Sequence, residues 1–108
     1  MLEGLYKVQF QTPLGLGSGV VYAKDGRLWG GDSIIYYIGT YDVRDNQLTA
    51  IVSINKHSNI SGFGSVFGVD RATITLSGRV EGDNIVTRGS AREAPGIPFD
   101  AHLTRLSD

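Results

Sequence analysis

No cysteine occurs in the 108 residues, and methionine and tryptophan occur once each. Without cysteine the fold has no disulfide staple, no thiolate nucleophile and no thiolate ligand for a metal. A charge excess is missing as well: Lys and Arg number 10 against 11 Asp and Glu, a formal net charge of -1. So weak a field gathers neither nucleic acid nor anionic lipid from a distance. Long apolar runs are also absent, since the longest, Ile34-Ile35-Tyr36-Tyr37-Ile38, falls far short of the roughly 20 residues that cross a bilayer as a helix. The opening Met1-Leu2-Glu3-Gly4 has neither the basic start nor the apolar stretch of a secretory leader. The cytoplasm is therefore the expected location, with no membrane partner and no direct nucleic-acid partner.

Alternation is what the chain has in abundance. In Gln47-Leu48-Thr49-Ala50-Ile51-Val52-Ser53-Ile54-Asn55, Leu48, Ala50, Val52 and Ile54 share one side of a pleated strand while Thr49, Ser53 and Asn55 share the other. The same period predicts strands over residues 3–12, 15–24, 27–31, 35–42, 47–56, 70–80, 84–92 and 97–106. Pro13-Leu14-Gly15, Asp25-Gly26, Asp45-Asn46 and Gly82-Asp83-Asn84 punctuate them with residues that accept hairpin turns. Residues 1–108 thus read as a single domain, all-β, an eight-stranded antiparallel up-and-down barrel in which consecutive strands pair. The one long connection, Ser58 to Val69, carries Phe63 and Phe67 and is expected to pack on the barrel.

Strand phase assigns the interior. Tyr6, Val8 and Phe10 face inward on the first strand, joined by Ala72, Ile74, Leu76, Val80, Ile85, Ile97, Phe99, Ala101 and Leu103. If the barrel is hollow, Tyr6, Phe10, Leu48, Val52, Ile74, Leu76 and Phe99 are the candidate contacts for one apolar ligand. Gly15, Gly17 and Gly19 share a face and predict either a bend at a barrel corner or a close approach of backbone. They do not form a phosphate loop, because Val20-Val21-Tyr22 continues a strand where a helix N-terminus is required. The aromatics of the long connection do not form a nucleic-acid platform either, because no Lys or Arg lies between Lys56 and Arg71.

Catalytic, cofactor and metal sites are not expected. His57 and His102 stand apart without metal-ligand spacing, Asp32-Ser33 has no local partner for hydrolytic chemistry, and Glu81 and Asp83 flank a turn. A different feature stands out: the second strand is apolar on both faces, and the Ile34 to Ile38 run repeats this. Such strands call for cover by the long connection or by a second copy. A homodimer is expected, with Leu16, Val20, Tyr22, Ile35 and Tyr37 as candidate contacts.

Gly4-Leu5-Tyr6-Lys7-Val8-Gln9-Phe10, Gly17-Ser18-Gly19-Val20-Val21-Tyr22 with Asp25-Gly26, and Gly30-Gly31-Asp32-Ser33 with Tyr37-Ile38-Gly39-Thr40-Tyr41 together resemble the GrlR family of negative regulators of type III secretion. The likeness covers most of the chain and loosens after the long connection. It implies a lipocalin- or calycin-like barrel that dimerises and a non-enzymatic regulator that holds a helix-turn-helix transcription activator inactive. It also implies a partner-binding turn, carried over to Asp42, Arg44, Asp45 and Asn46. Where the family has an acidic run, this chain has Asp42-Val43-Arg44-Asp45-Asn46-Gln47, with Arg44 opposing the carboxylates. The alternative function is a carrier of an apolar small molecule inside the barrel.

Overall fold

Two-residue turns dictate how the chain doubles back. Asp25 and Gly26 both hold positive φ, 52° and 76°, as do Asp45 and Asn46 at 52° and 63°. That pairing is the type I′ geometry, whose twist matches the strands it joins. Gly82 has φ 62° ahead of Asp83, as the first central position of a type II′ turn requires. The computed structural model describes residues 1–58 and 71–108. In sequence order the strands are β1 (Gly4–Thr12), β2 (Gly15–Lys24), β3 (Arg27–Gly31), β4 (Ile35–Arg44), β5 (Gln47–Lys56), β6 (Arg71–Glu81), β7 (Asn84–Ala91) and β8 (Ala94–Ser107). Every consecutive pair is antiparallel, and β1 pairs with β8 to close the barrel. Among the described residues there is no helix.

Two strands run longer than periodicity predicts. β4 continues to Arg44 because Val43 and Arg44 pair with Leu48 and Gln47 across the tight Asp45-Asn46 turn. β8 begins at Ala94, which pairs with Ala91, and a register shift between Ser90 and Ala91 absorbs Pro95, Gly96 and Ile97 before regular pairing resumes at Pro98. The packing expected of Phe63 and Phe67 lies outside the described residues.

The core is one cluster inside the barrel. Tyr6, Phe10, Leu48, Val52, Ile74, Leu76 and Phe99 are all buried in it, with Val8, Ala72, Val80, Ile85, Ala101 and Leu103 beside them, and Ile97 packs against it half-buried. Two polar residues are buried as well, Thr12 at the end of β1 and Thr87; the Thr87 hydroxyl donates to the Ala101 carbonyl at 2.9 Å, so that group is satisfied without water. The expected outward role of Ile35 and Tyr37 is corrected here. Tyr37 is 6% exposed and belongs to the core, and Ile35 packs against it. Within the apolar run of β4 the side chains that reach solvent are Tyr36 and Ile38. Alternation cannot set the phase of a run that is apolar throughout, whereas Thr40, Asp42 and Arg44 downstream do mark its outer face.

The inner glycines divide into two kinds. A Cβ at Gly30, Gly78 or Gly89 would overlap a neighbouring strand's carbonyl at Val20, Val86 or Thr75, so these are the points of close backbone approach. At Gly17 the neighbour is instead a side chain, the Phe10 ring, directly opposite in register. Gly19 does both: a Cβ there would stand 2.5 Å from the Tyr37 hydroxyl and 2.7 Å from the Gly31 carbonyl. Thus β2 leaves room for aromatic rings from its neighbours.

Candidate functional site

Phe10, Tyr37 and Phe99 fill the upper barrel, the end that carries the β1–β2, β3–β4 and β7–β8 connections. Phe10 meets Tyr37 edge-on at 6.0 Å between centroids and stacks on Phe99 at 5.9 Å. The cavity left between them and Val8, Leu28 and Val52 is 60 Å³ and wholly apolar. That holds a water by size and offers it no hydrogen bond, and it is well under the about 300 Å³ at which ligand pockets begin.

At the rim of this end, Asp32 organises the β3–β4 connection. Its Oδ1 accepts from the Ile34 and Ile35 N–H groups at 2.8 and 2.9 Å, and its Oδ2 accepts from the Tyr37 hydroxyl at 2.6 Å. Burial and the bond to Asp32 raise the Tyr37 hydroxyl far above the ordinary tyrosine range. His57 Nε2 donates to the Asp32 carbonyl at 2.9 Å, which fixes the proton on that nitrogen. Sequence reasoning did not bring Asp32, Tyr37 and His57 together. All the same, every Asp32 oxygen is engaged in fixing the loop, and the arrangement presents no nucleophile with an adjacent base. His102 sits on the outer face of β8, its Nε2 3.2 Å from Asn84 Oδ1.

The lower end is closed by polar clamps. Arg105 Nε and Nη2 donate to the Glu3 carbonyl at 3.1 and 2.9 Å, and Nη2 also reaches Asp108 Oδ1 at 2.7 Å. The Tyr6 hydroxyl donates to the Leu2 carbonyl. Asp42, Arg44, Asp45 and Asn46 lie at this end, all exposed. Arg44 Nε donates to Asp42 Oδ2 at 2.9 Å, so part of the turn's negative charge is neutralised within the chain. The Asn46 carbonyl accepts from the Val80 N–H at 2.8 Å, anchoring the turn to β6.

Outside the barrel, β2, β3 and β4 carry an apolar face. Tyr22 is directly opposite Trp29, and Trp29 is directly opposite Ile38. In the next row Gly31 separates Val20 from Tyr36. Trp29 is 43% exposed and Ile38 51%, with Val20 and Tyr36 also exposed. The Tyr22 and Trp29 rings lean together at 5.4 Å and 41°. Of the contacts expected from sequence, Val20 and Tyr22 belong to this face. Leu16 lies further up β2 and is exposed. Trp29, Tyr36 and Ile38 were missed, although Trp29 lies two residues from Arg27 in a five-residue strand whose phase two residues suffice to fix.

Neither protein-family models nor curated proteins of known function give a match to this chain.

Proposed function

We propose that the protein is a non-enzymatic binding protein, a regulator of the GrlR type with a lipocalin-like barrel that captures a transcription activator through its outer surface. The supporting observation is the contrast between inside and outside. The interior is packed down to a 60 Å³ space, whereas Val20, Tyr22, Trp29, Tyr36 and Ile38 lie together on the outer wall. These side chains expose on the order of 400 Å² of mostly apolar surface, the size at which a patch on a monomer marks an interaction site. Closure of the barrel leaves no full-length strand edge, so recognition falls to side chains rather than to strand addition. The face admits a second copy or a different protein, and the exposed turn at Asp42 to Asn46 is a secondary element of recognition.

The carrier alternative calls for an interior of about 300 Å³ or more, which makes it the weaker reading. The deciding experiment is capture of a DNA-binding activator by the tagged full chain, with and without Trp29→Glu, alongside mass spectrometry of an organic extract. Loss of capture in a folded Trp29→Glu protein is expected. Capture indifferent to that change, with a stoichiometric apolar molecule in the extract, would overturn the reading in favour of the carrier.

A further inference from the structure

We infer that the outer face of β2, β3 and β4 receives an acidic amphipathic segment of another polypeptide, with apolar side chains on Trp29 and Ile38 and carboxylates against Lys24 and Arg27. This rests on the binding-protein reading above and specifies the partner's chemistry. Lys24 and Arg27 are directly opposite each other in register, one step along the strands from the Tyr22 and Trp29 pair. Like charges placed opposite across two strands destabilise the sheet. No salt bridge among the described residues includes Lys7, Lys24 or Arg27. Lys7 faces out opposite Val20 and continues the cationic margin around the apolar centre. On the outward strand positions of β1 to β5 the sole carboxylate is Asp42, and Arg44 holds it at 2.9 Å. Two turn carboxylates stand nearby: Asp25, in the turn between Lys24 and Arg27, and Glu3, which accepts from the Asp25 N–H at 2.6 Å; neither forms a salt bridge among the described residues.

Charge also decides between occupants. A two-fold axis through Trp29 would lay the Lys24 and Arg27 end of one copy toward the Lys7 end of the other, so cations would meet cations. Such juxtaposition suppresses self-pairing and favours a partner of opposite sign. A single-stranded nucleic acid would satisfy the cations. However, Val20 and Ile38 offer no flat surface for bases, and the Tyr22 and Trp29 rings are tilted by 41° rather than coplanar. Aliphatic and aromatic side chains ringed by cations match an apolar polypeptide stripe flanked by Asp and Glu.

The chain's one tryptophan sits in the middle of this face, so its fluorescence reads occupancy directly. The full chain is titrated with a synthetic peptide of Leu, Phe and Glu at helical i, i+3, i+4 spacing, with a charge-reversed peptide carrying Lys for Glu, with oligo-dT, and with phosphatidylglycerol vesicles. The acidic peptide should shift Trp29 emission to the blue with an affinity that falls as salt rises. The doubly substituted Lys24→Glu, Arg27→Glu protein should weaken that binding about tenfold or more and gain affinity for the Lys peptide. Unchanged far-UV spectrum and melting temperature establish that the variant is folded. Equal response to both peptides, no response to the acidic peptide at millimolar concentration, or a response confined to oligo-dT or vesicles would overturn the inference. So would burial of Trp29 by self-association of the protein alone in sedimentation. If Trp29→Glu abolishes activator capture while the charge reversals leave it unchanged, the acidic partner fails and the binding face stands. If Trp29→Glu leaves capture unchanged, the binding face itself fails.

Discussion

Replacing Gly17 by Ala inserts one methyl group where the Phe10 ring lies directly across the strand pair. The ring cannot withdraw freely, because Tyr37 meets it edge-on at 6.0 Å and Phe99 stacks on it at 5.9 Å. Relief of the overlap takes a displacement of roughly 1 Å through a close-packed cluster, and overpacking of this kind destabilises by about 1–3 kcal/mol. Weakening of two aromatic pairs adds to this, each contributing about 0.5–1.5 kcal/mol. Against both stands the smaller entropy of the unfolded chain, about 0.4–1 kcal/mol in favour of Ala. The net expectation is about 2 kcal/mol of destabilisation, or roughly 10 °C in melting temperature for a domain of this size. Gly15→Ala is the internal control, since nothing lies within 4 Å of a Cβ there and only the entropic gain remains. Urea denaturation of both variants tests the argument, and Gly17→Ala combined with Phe10→Leu should be less than additive. The reasoning is refuted if Gly17→Ala and Gly15→Ala have the same midpoint.

Tyr37 is held protonated far above the ordinary tyrosine value of 10.0, and burial raises Tyr6 and Tyr41 as well. Above about pH 10 the unfolded state then loses protons that the folded state keeps, so stability present below that pH falls as pH rises. Tyr37→Phe should flatten this alkaline limb in pH-dependent urea titrations while lowering neutral-pH stability by about 1–2 kcal/mol through loss of the bond to Asp32. Thr87→Val removes a buried hydroxyl that donates to the Ala101 carbonyl and should cost about 1 kcal/mol by the same assay. Trp29→Glu changes an exposed side chain and should alter stability by less than about 0.5 kcal/mol; in the unaltered protein acrylamide should quench Trp29 readily.

Periodicity recovered the barrel because most strands are polar on one face. In β1, β5 and β6 the inner set reads directly from alternation, and Tyr6, Phe10, Leu48, Ala50, Ile74 and Leu76 are buried accordingly. The turn dipeptides were equally legible, since Asp-Gly and Asp-Asn tolerate the positive φ that a tight hairpin demands. In β4 the phase was lost, because Ile35 to Ile38 is apolar at every position. What orients it is distant: the Tyr37 hydroxyl reaches Asp32 in the space that Gly19 leaves on β2. The outer face was legible only in part, at Val20 and Tyr22, for a related reason. Tyr22, Trp29 and Ile38 belong to three strands and become neighbours only through register.

The ring is sealed by its first and last strands, with Gln11 opposite Asp100 and Leu5 opposite Ser107. During synthesis this means that residues 94–107 must emerge from the ribosome before either β1 or β7 has both neighbours. Until then two open edges are presented to other nascent chains, and the pairing that removes them is the longest-range contact in the barrel. Folding speed is therefore governed by one late closure rather than by the hairpins, which form locally and early. Joining residues 107 and 4 with a short linker and opening the chain at the Asp45-Asn46 turn would make that pairing a local hairpin and pass the late closure to β4 and β5, so substitutions at the β4–β5 seam, rather than at the β1–β8 seam, should then slow refolding.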